Sequence, residues 1–402
     1  MSYLLYDLRD KLEPLGKLDI VANVQKQVDE YFQQLGVEKD NPLTMWNRSG
    51  AFANEGQRLL AQGDLDGAKA RYEAALKINE RLVSLDPKNT VSQGNLAATH
   101  NGLARVLEAQ GNLDGALEHY QADLEITTRL AALDPNNTGL QRNLRIGHAC
   151  VAGVLQAQGD LDGALRNFKT SLSIDKRLVS LEPSTTDWQR DLAADHTYAG
   201  GILETQGDLD SASRHYQTAL KIDQRLVSLD PSNTIWQRDL AACHRCVAGV
   251  LQAQGDLDGA WQQRQADLTI SRRLVSQDPT NTDWLRDLAW SHSLMAGLLE
   301  QQGDPDGALR QYRSALEIDE RLVSRDRTNT DWRFDLAASH ENVGLMLEAQ
   351  EDLAGALRQY RLAVKIEQSL VSSDPDNPQS KDALSQLRGD VKRVLKAQQR
   401  AP

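Results

Sequence analysis

Apolar positions recur along this chain in stretches of about 20 residues, at the three- and four-residue spacings of a single helical face. Residues 160–207 show one stripe of Leu161, Ala164, Leu165, Phe168, Leu172, Leu178 and Val179, and a second of Trp188, Leu192, His196, Ala199 and Leu203. Asp160 is a suitable N-cap for the first of these helices. Pro183 disfavours helical geometry in the residue that precedes it, so this helix is expected to end there. Gly207 suits the left-handed cap that ends the second helix. The pattern predicts two antiparallel helices.

The residues that follow each Asp-Pro or Glu-Pro step predict where the next helix begins. Thr186 and Gln189 have the spacing of a capping box, in which each side chain bonds the backbone N–H of the other. Gln93, Gln141 and Gln237 stand at the same place in three other units. We therefore predict a threonine–glutamine cap at these helix starts.

The helical pair repeats every 48 residues without an insertion. Its glycine recurs as Gly63, Gly111, Gly159, Gly207, Gly255 and Gly303, with Glu351 at the seventh place. An all-alanine column accompanies it: Ala68, Ala116, Ala164, Ala212, Ala260, Ala308 and Ala356. A fixed period of this size indicates stacked units that bury their apolar faces on one another. The sequence predicts an all-α solenoid with seven helical pairs over residues 43–375, an N-terminal helical cap over 1–42 and a C-terminal capping helix over 376–402.

The repeated residues resemble the tetratricopeptide repeat. The resemblance rests on Gly200, Gln206-Gly207-Asp208-Leu209-Asp210, Ala212, Tyr216, Ala219-Leu220 and the closing Asp230-Pro231. The usual unit has about 34 residues, so the chain is similar to the elongated tetratricopeptide arrays of bacterial proteins. The resemblance implies a right-handed superhelix and a role in protein–protein interaction.

In tetratricopeptide arrays the first helix of each pair lines a concave groove that binds partners. Carried onto this chain, the resemblance implies groove residues that differ between units: Asn101, Arg105, Glu108, Thr197, Glu204, Arg245, Gln252, Trp290, Ser293, Glu300, Glu341 and Glu348. Four glycines lie on the same stripe: Gly153, Gly201, Gly249 and Gly297. They either leave floor space for a ligand or allow two helices to approach closely, and both explanations stay open.

The strongest local departure from the repeat is at Trp261, Arg264 and Asp267, followed by Trp290 on the next helix. Arg264 and Asp267 are three residues apart, which allows them to pair on one helical face. A buried pair of this kind contributes little net stability, which favours a role other than packing. Tolerated drift in one unit is the alternative.

Composition narrows the classes of partner. The net charge of −12 argues against nucleic acid and anionic membrane surfaces, which attract positive proteins. Three cysteines are too few for a disulfide framework and indicate a reducing compartment, for which we expect the cytoplasm. No apolar run approaches a membrane span of about 18 residues, and the first ten residues lack the pattern of a signal peptide.

The candidate chemistry is weak. Six histidines lie 48 residues apart: His100, His148, His196, His244, His292 and His340. One metal ion cannot bridge equivalent positions of neighbouring units, which are about 20 Å apart for packed helices. We expect these histidines to hydrogen-bond between helices, and Cys243 and Cys246 to serve packing. The sequence predicts no catalytic residue, metal or cofactor.

Two further columns are expected to be structural. The tryptophans Trp188, Trp236, Trp284 and Trp332 precede a repeated leucine by four residues and so share its buried face. The arginines Arg81, Arg129, Arg177, Arg225, Arg273 and Arg321 are expected to pair with nearby carboxylates.

Three functions fit these observations. The first is a protein–protein interaction scaffold that binds an extended or helical segment of another protein. The second is a regulatory subunit that controls a bacterial effector enzyme, such as a protease or an NTPase. The third is a self-assembling structural protein, because near-identical units can stack end to end.

Overall fold

The computed structural model describes residues 41–375 and 377–400, so the helical cap predicted over residues 1–42 lies almost entirely outside the described residues. The described chain contains 15 helices and no strand. Their bounds are α1 Pro42–Ala61, α2 Leu65–Leu85, α3 Thr90–Ala109, α4 Leu113–Leu133, α5 Thr138–Ala157, α6 Leu161–Leu181, α7 Thr186–Thr205, α8 Leu209–Leu229, α9 Thr234–Ala253, α10 Leu257–Gln277, α11 Thr282–Gln301, α12 Pro305–Arg325, α13 Thr330–Ala349, α14 Leu353–Ser373 and α15 Pro378–Arg400.

The helices form seven pairs, in which an odd-numbered first helix of 20 residues precedes an even-numbered second helix of 21 residues. The final helix α15 has no second helix in the described chain. The all-α solenoid of helical pairs predicted from the 48-residue period is therefore confirmed.

Two kinds of cap fix where the helices begin and end. The carboxylate of Asp160 accepts from the Gly163 backbone N–H at 2.8 Å, so this predicted N-cap is confirmed. The turn before it contains Gly159 at φ 85°, a left-handed conformation that favours glycine. Five other turns share this glycine conformation, and only Glu351 adopts it among the described non-glycine residues, at φ 62°.

The predicted threonine–glutamine capping box is wrong. Helix α3 is capped one residue earlier, where Asn89 Oδ1 accepts from the Ser92 N–H at 3.0 Å. Gln93 instead donates through Nε2 to the carbonyl of Pro87 at 2.6 Å. Gln189 and Gln237 bond the carbonyls of Pro183 and Pro231 in the same way, and Gln141 bonds that of Ala131. The glutamine thus fastens the preceding segment, because an asparagine has already supplied the cap of α3, α5 and α9.

The chain divides into two compact units, residues 1–202 and residues 203–402. The first has a core that includes Tyr72, Val106 and Val154, and the second has a core around Tyr360 and Leu387. All seven residues of the alanine column are 0% exposed. A side chain this small allows the first and second helices to approach closely, so the predicted packing column is confirmed.

Candidate functional site

A polar column lies within the otherwise apolar packing of the second helices. Its members are all buried: Asn79, Thr127, Asp175, Asp223, Ser271, Asp319 and Glu367. Among those that bond the first helix of the following pair, Asn79 donates to Thr99 at 2.8 Å, and Asp319 accepts from Ser339 at 2.6 Å. Sequence reasoning missed this column, although its polar residues stand 48 apart on an apolar face.

The unit of residues 203–402 contains a pocket of about 510 Å³ between first helices α9, α11 and α13, with α12 beneath them. Its lining includes Arg238, Asp283, Arg286, Asp287, Trp290, Ser293, Asp319, Asp335 and Ser339. Two predicted groove residues, Trp290 and Ser293, therefore meet here. The Trp290 side chain is 56% exposed, which is unusual for an indole on a first helix.

The charged residues of this pocket are largely arranged as ion pairs between successive first helices. Arg238 Nε lies 2.6 Å from Asp287 Oδ2, and Arg286 Nε lies 2.7 Å from Asp335 Oδ2. Asp319 makes no such pair. Burial raises its pKa to about 7, helped by Asp335 and opposed by the Ser339 hydrogen bond and Arg286. The pocket thus has a desolvated carboxylate in its floor.

The unit of residues 1–202 contains a pocket of about 280 Å³ at the equivalent place, between α3, α4 and α5. Its lining includes Gly94, Ala98, Asn101, Thr127, Asn143 and Ile146. These are the repeat equivalents of Arg286, Trp290, Ser293, Asp319, Asp335 and Ala338. At these six positions the same architecture presents uncharged side chains in one unit and mostly charged or aromatic side chains in the other, although Asp123 also lines the smaller pocket.

At equivalent places in the two units, a first-helix residue binds a buried aspartate of its own pair. In α3, Asn101 Nδ2 donates to Asp123 at 3.1 Å. At the equivalent place in α9, Arg245 Nη1 donates to Asp267 at 2.8 Å. Burial raises the pKa of Asp123 to about 6, and it also raises the pKa of Asp267, which Arg245 partly lowers.

Arg245 is consequently a buried residue of the predicted groove, with 8% exposure, and its guanidinium lies 5.1 Å from the Trp290 ring centroid. It supports one face of the exposed indole. The pairing that the spacing of Arg264 and Asp267 allowed is not formed. Arg264 donates to the Arg245 carbonyl at 3.2 Å, because Asp267 accepts from Arg245 instead. Trp261 is 42% exposed on α10.

A second buried arginine was missed by sequence reasoning. Arg145 of α5 donates to Asp175 at 3.3 Å and to Asp195 at 2.9 Å, and lies 3.8 Å from Asp191. Burial raises the pKa of Asp175 to about 8, and Arg145 opposes that shift. The sequence does contain a signal for Arg145, because alanine stands at the equivalent position of five other units: Ala97, Ala193, Ala241, Ala289 and Ala337.

Four predicted groove glutamates each accept a hydrogen bond from a tyrosine of their own pair of helices. Their carboxylates accept from a tyrosine hydroxyl of the following second helix, at 2.9 Å in Glu108–Tyr120, 2.8 Å in Glu204–Tyr216, 2.5 Å in Glu300–Tyr312 and 2.8 Å in Glu348–Tyr360. Glu348 also binds Arg393 of α15 at 2.9 Å. A carboxylate has about four lone-pair sites, so these residues keep capacity for further donors.

The other predicted groove residues are dispersed. Arg105 is exposed, Gln252 is half-buried, and Thr197 donates to the Ala193 carbonyl of its own helix at 3.1 Å. Glu341 accepts from Gln386 of α15 at 2.7 Å. Burial raises its pKa, which the Gln386 hydrogen bond opposes.

The glycine stripe shows no close approach of helices where its surroundings are resolved. A Cβ atom on Gly153 would meet no atom within 4 Å. On Gly249 and Gly297 it would meet only a side-chain oxygen, at 3.6 and 3.8 Å. These contacts favour open floor space over helix contact.

Five of the six repeated histidines hydrogen-bond between the two helices of a pair, as predicted. Nδ1 of His244 lies 2.7 Å from Gln263 Oε1, and His292 and His340 bind Gln311 and Gln359 in the same way. His148 binds Asn167 at 2.9 Å. His100 lies 2.9 Å from His119, and burial, with a smaller contribution from His119, lowers its pKa to about 4.

Three members of the arginine column bond loop oxygens of the preceding unit and not the predicted carboxylates. Arg273 and Arg321 donate to the carbonyls of Pro231 and Pro279 at 3.4 and 2.6 Å, and Arg177 donates to Asn136 Oδ1 at 3.2 Å. The tryptophan column is buried at Trp188 and half-buried at its three other members. Both columns therefore hold neighbouring parts of the fold together.

Metal-binding clusters and membrane-spanning helices are both absent from the described residues. They contain no group of three or more histidine, cysteine, aspartate or glutamate side chains placed to hold a metal ion. In the same residues, no helix combines the length and apolar character needed to cross a membrane.

Comparisons with known proteins agree with this architecture. Residues 54–127 match the tetratricopeptide repeat family model. The crystal structure of BtubC (BKLC) from P. vanneervenii is similar over 64% of this chain and 92% of its own, with a TM-score of 0.51 and 19% identity. The apo form of RapI is similar over 81% and 99%, with a TM-score of 0.53 and 16% identity. At these identities the likeness concerns the fold alone.

No curated protein sequence matches the chain. The family is therefore carried by the matched segment and by the 48-residue unit that recurs through the described helices. Tetratricopeptide folds generally serve protein–protein interaction and are generally non-catalytic. Residues 54–127 thus match the tetratricopeptide repeat, and the chain is similar to tetratricopeptide-repeat proteins in its fold.

Proposed function

We propose that this protein is an interaction scaffold that binds a segment of a partner protein on the first helices α9, α11 and α13. The observation that carries the proposal is the pocket of about 510 Å³ in which the exposed Trp290 stands beside charged side chains. Pockets of this volume accommodate small ligands or several side chains. An exposed tryptophan with polar neighbours is typical of the residues that dominate interfaces.

The support beneath the pocket also favours recognition. Trp290 lies on a regular helix, and Arg245 contacts one face of its ring while being fixed by Asp267. A ring held in this way loses little conformational freedom when a partner covers it. The three cysteines are free thiols, which supports a reducing compartment such as the cytoplasm for this function.

Two exposed tryptophans provide a matched test. Trp290 lines the pocket, whereas Trp261 is exposed on second helix α10. Wild-type protein, Trp290→Ala and Trp261→Ala would be used to recover partners from the native host. We expect a partner that wild type and Trp261→Ala retain equally and that Trp290→Ala binds at least about tenfold more weakly. Equal retention by the two variants would place the interaction elsewhere.

The same preparation separates the alternative functions. A regulatory subunit would also change the enzymatic activity of the partner that it retains. A self-assembling protein would show a mass that rises with concentration, and Trp290→Ala would leave that mass unchanged. Circular dichroism of both tryptophan variants should match wild type, because each side chain is largely solvent-exposed.

A further inference from the structure

The charges of the Trp290 pocket indicate which kind of segment it accepts. The pocket is lined by four aspartates and two arginines: Asp283, Asp287, Asp319, Asp335, Arg238 and Arg286. Each arginine already donates to an aspartate, at 2.6 Å from Arg238 to Asp287 and at 2.7 Å from Arg286 to Asp335. An anionic segment would therefore meet arginines that are already paired, in a pocket with two more aspartates than arginines.

Asp319 is the buried member of this set. Asp319 is only 4% exposed, yet it lines the pocket. Oδ2 accepts from the Ser339 hydroxyl at 2.6 Å, and Asp319 takes part in no ion pair within the described residues. By contrast, the buried Asp267 is paired with Arg245, and Asp175 and Asp195 share Arg145. Asp319 therefore lacks the counter-charge that these aspartates have.

The indole of Trp290 adds a second element suited to a cation. Arg245 lies over the ring at 5.1 Å from its centroid, and the residue is still 56% exposed. Aromatic faces attract ammonium and guanidinium groups, and more strongly in a desolvated site. The aliphatic stem of lysine or arginine would cover the remaining apolar surface.

Building on the proposed function, we propose that the Trp290 pocket accepts a lysine or arginine side chain from a basic segment of the partner protein. The Asp319 carboxylate is its counter-ion and Trp290 is the surface on which its stem packs. The surrounding helices have the matching charge: α9, α11 and α13 together carry eight aspartates and glutamates against four arginines. This excess attracts a basic segment before contact.

The chain itself suggests a variant of Asp319 that should fold. The first unit has Asn79 in this column, and Asn79 donates to Thr99, the repeat equivalent of Ser339. Asp319→Asn should form the same hydrogen bond with Ser339 while losing the charge. Its matched control is Glu320→Gln, which removes the same charge from an exposed neighbour on the same helix.

The test is a selection of the full-length protein against a random peptide library displayed on phage, followed by affinity measurements on the selected peptides. We expect peptides rich in lysine and arginine that bind wild type and Glu320→Gln equally. Asp319→Asn and Trp290→Ala should each weaken binding at least about tenfold. Trp261→Ala should leave it unchanged.

The outcomes separate this inference from the proposed function. Selected peptides that need Trp290 but are acidic or neutral, or that bind Asp319→Asn as tightly as wild type, overturn the cation site and leave the scaffold function in place. Selected peptides that bind Trp290→Ala as tightly as wild type, or the absence of any selected peptide, overturn both.

Discussion

The two first-helix pockets occupy the same place in the repeat, four repeats apart in sequence, but they differ in chemistry. Ala98, Thr127 and Asn143 line one, and Trp290, Asp319 and Asp335 stand at the equivalent positions of the other. Both lie in units that share the buried alanine column. The repeat therefore fixes where a pocket forms, and the variable positions decide what it can bind.

The neighbouring buried pairs show the same division of roles. Asn101 binds Asp123 in the first unit, and Arg245 binds Asp267 in the second. A neutral donor leaves the aspartate able to take up a proton, whereas an arginine favours its charged form. The charge of the second unit thus extends into the packing beneath its pocket.

Removing the buried cation should have the largest effect. Arg245→Ala leaves Asp267, which is 0% exposed, without its ion-pair partner. Loss of one partner of a buried pair costs about 3–5 kcal/mol, so we expect the free energy of opening α9 and α10 to fall by this amount. Hydrogen exchange of the α9 and α10 amides measures it directly.

Asn101→Ala is the matched control in the other unit, where only a hydrogen bond from a neutral donor is lost. We expect the free energy of opening α3 and α4 to fall by about 1–2 kcal/mol. The double variant Arg245→Thr with Asp267→Ala copies the residues found at Thr197 and Ala219. It should recover most of the loss. If the double variant opened as easily as Arg245→Ala, packing and not charge would be responsible.

The sequence predicted the fold well because the 48-residue period repeats each local signal several times. Gly159, with its neighbours at the equivalent turns, marks the helix boundaries, and the alanine column marks the close contacts. The capping box failed because Asn89 offers a side-chain oxygen one residue before the threonine, and helix starts depend on such single-residue competition.

The candidate site was less predictable. Trp290 and Ser293 were found because they vary where their neighbours do not. Asp319 was missed because a polar residue on a second helix has no visible partner in the sequence. Its partner Ser339 lies 20 residues away in the next pair, and only packing brings them together. Arg145 was also missed, because its partners Asp175 and Asp195 lie 30 and 50 residues away in the sequence.

The second prediction concerns stability against pH. Burial raises the pKa of Asp319 from its ordinary value of 3.8 to about 7, so the folded state holds a proton that the unfolded state releases. The free energy of unfolding should therefore fall as pH rises from about 4 to about 7. Asp319→Asn removes this dependence and should stabilise α12 and α13 by about 1–3 kcal/mol at pH 8, with little change near pH 4.

Urea unfolding of wild type, Asp319→Asn and Glu320→Gln at the two pH values tests this expectation. Glu320→Gln should follow wild type, because Glu320 is exposed. A stabilising variant that binds a basic peptide more weakly would indicate that the buried carboxylate is kept for recognition at a cost in stability. Equal stability of Asp319→Asn and wild type at pH 8 would mean that the carboxylate is not effectively desolvated.

The smallest predicted effect concerns a last difference between the two units, in the turns that join the first and second helices of a pair. The described turns before residue 202 have glycine at the left-handed position, whereas the second unit has Glu351 there at φ 62°. A side chain with a Cβ atom is strained in this conformation by about 1 kcal/mol. Glu351→Gly should therefore stabilise α13 and α14 by about that amount, and Gly303→Glu, at φ 78°, should destabilise the preceding turn equally. Hydrogen exchange at the two turns compares them within one protein. A loss of stability in Glu351→Gly would show that the glutamate side chain makes a contact worth more than the strain it imposes.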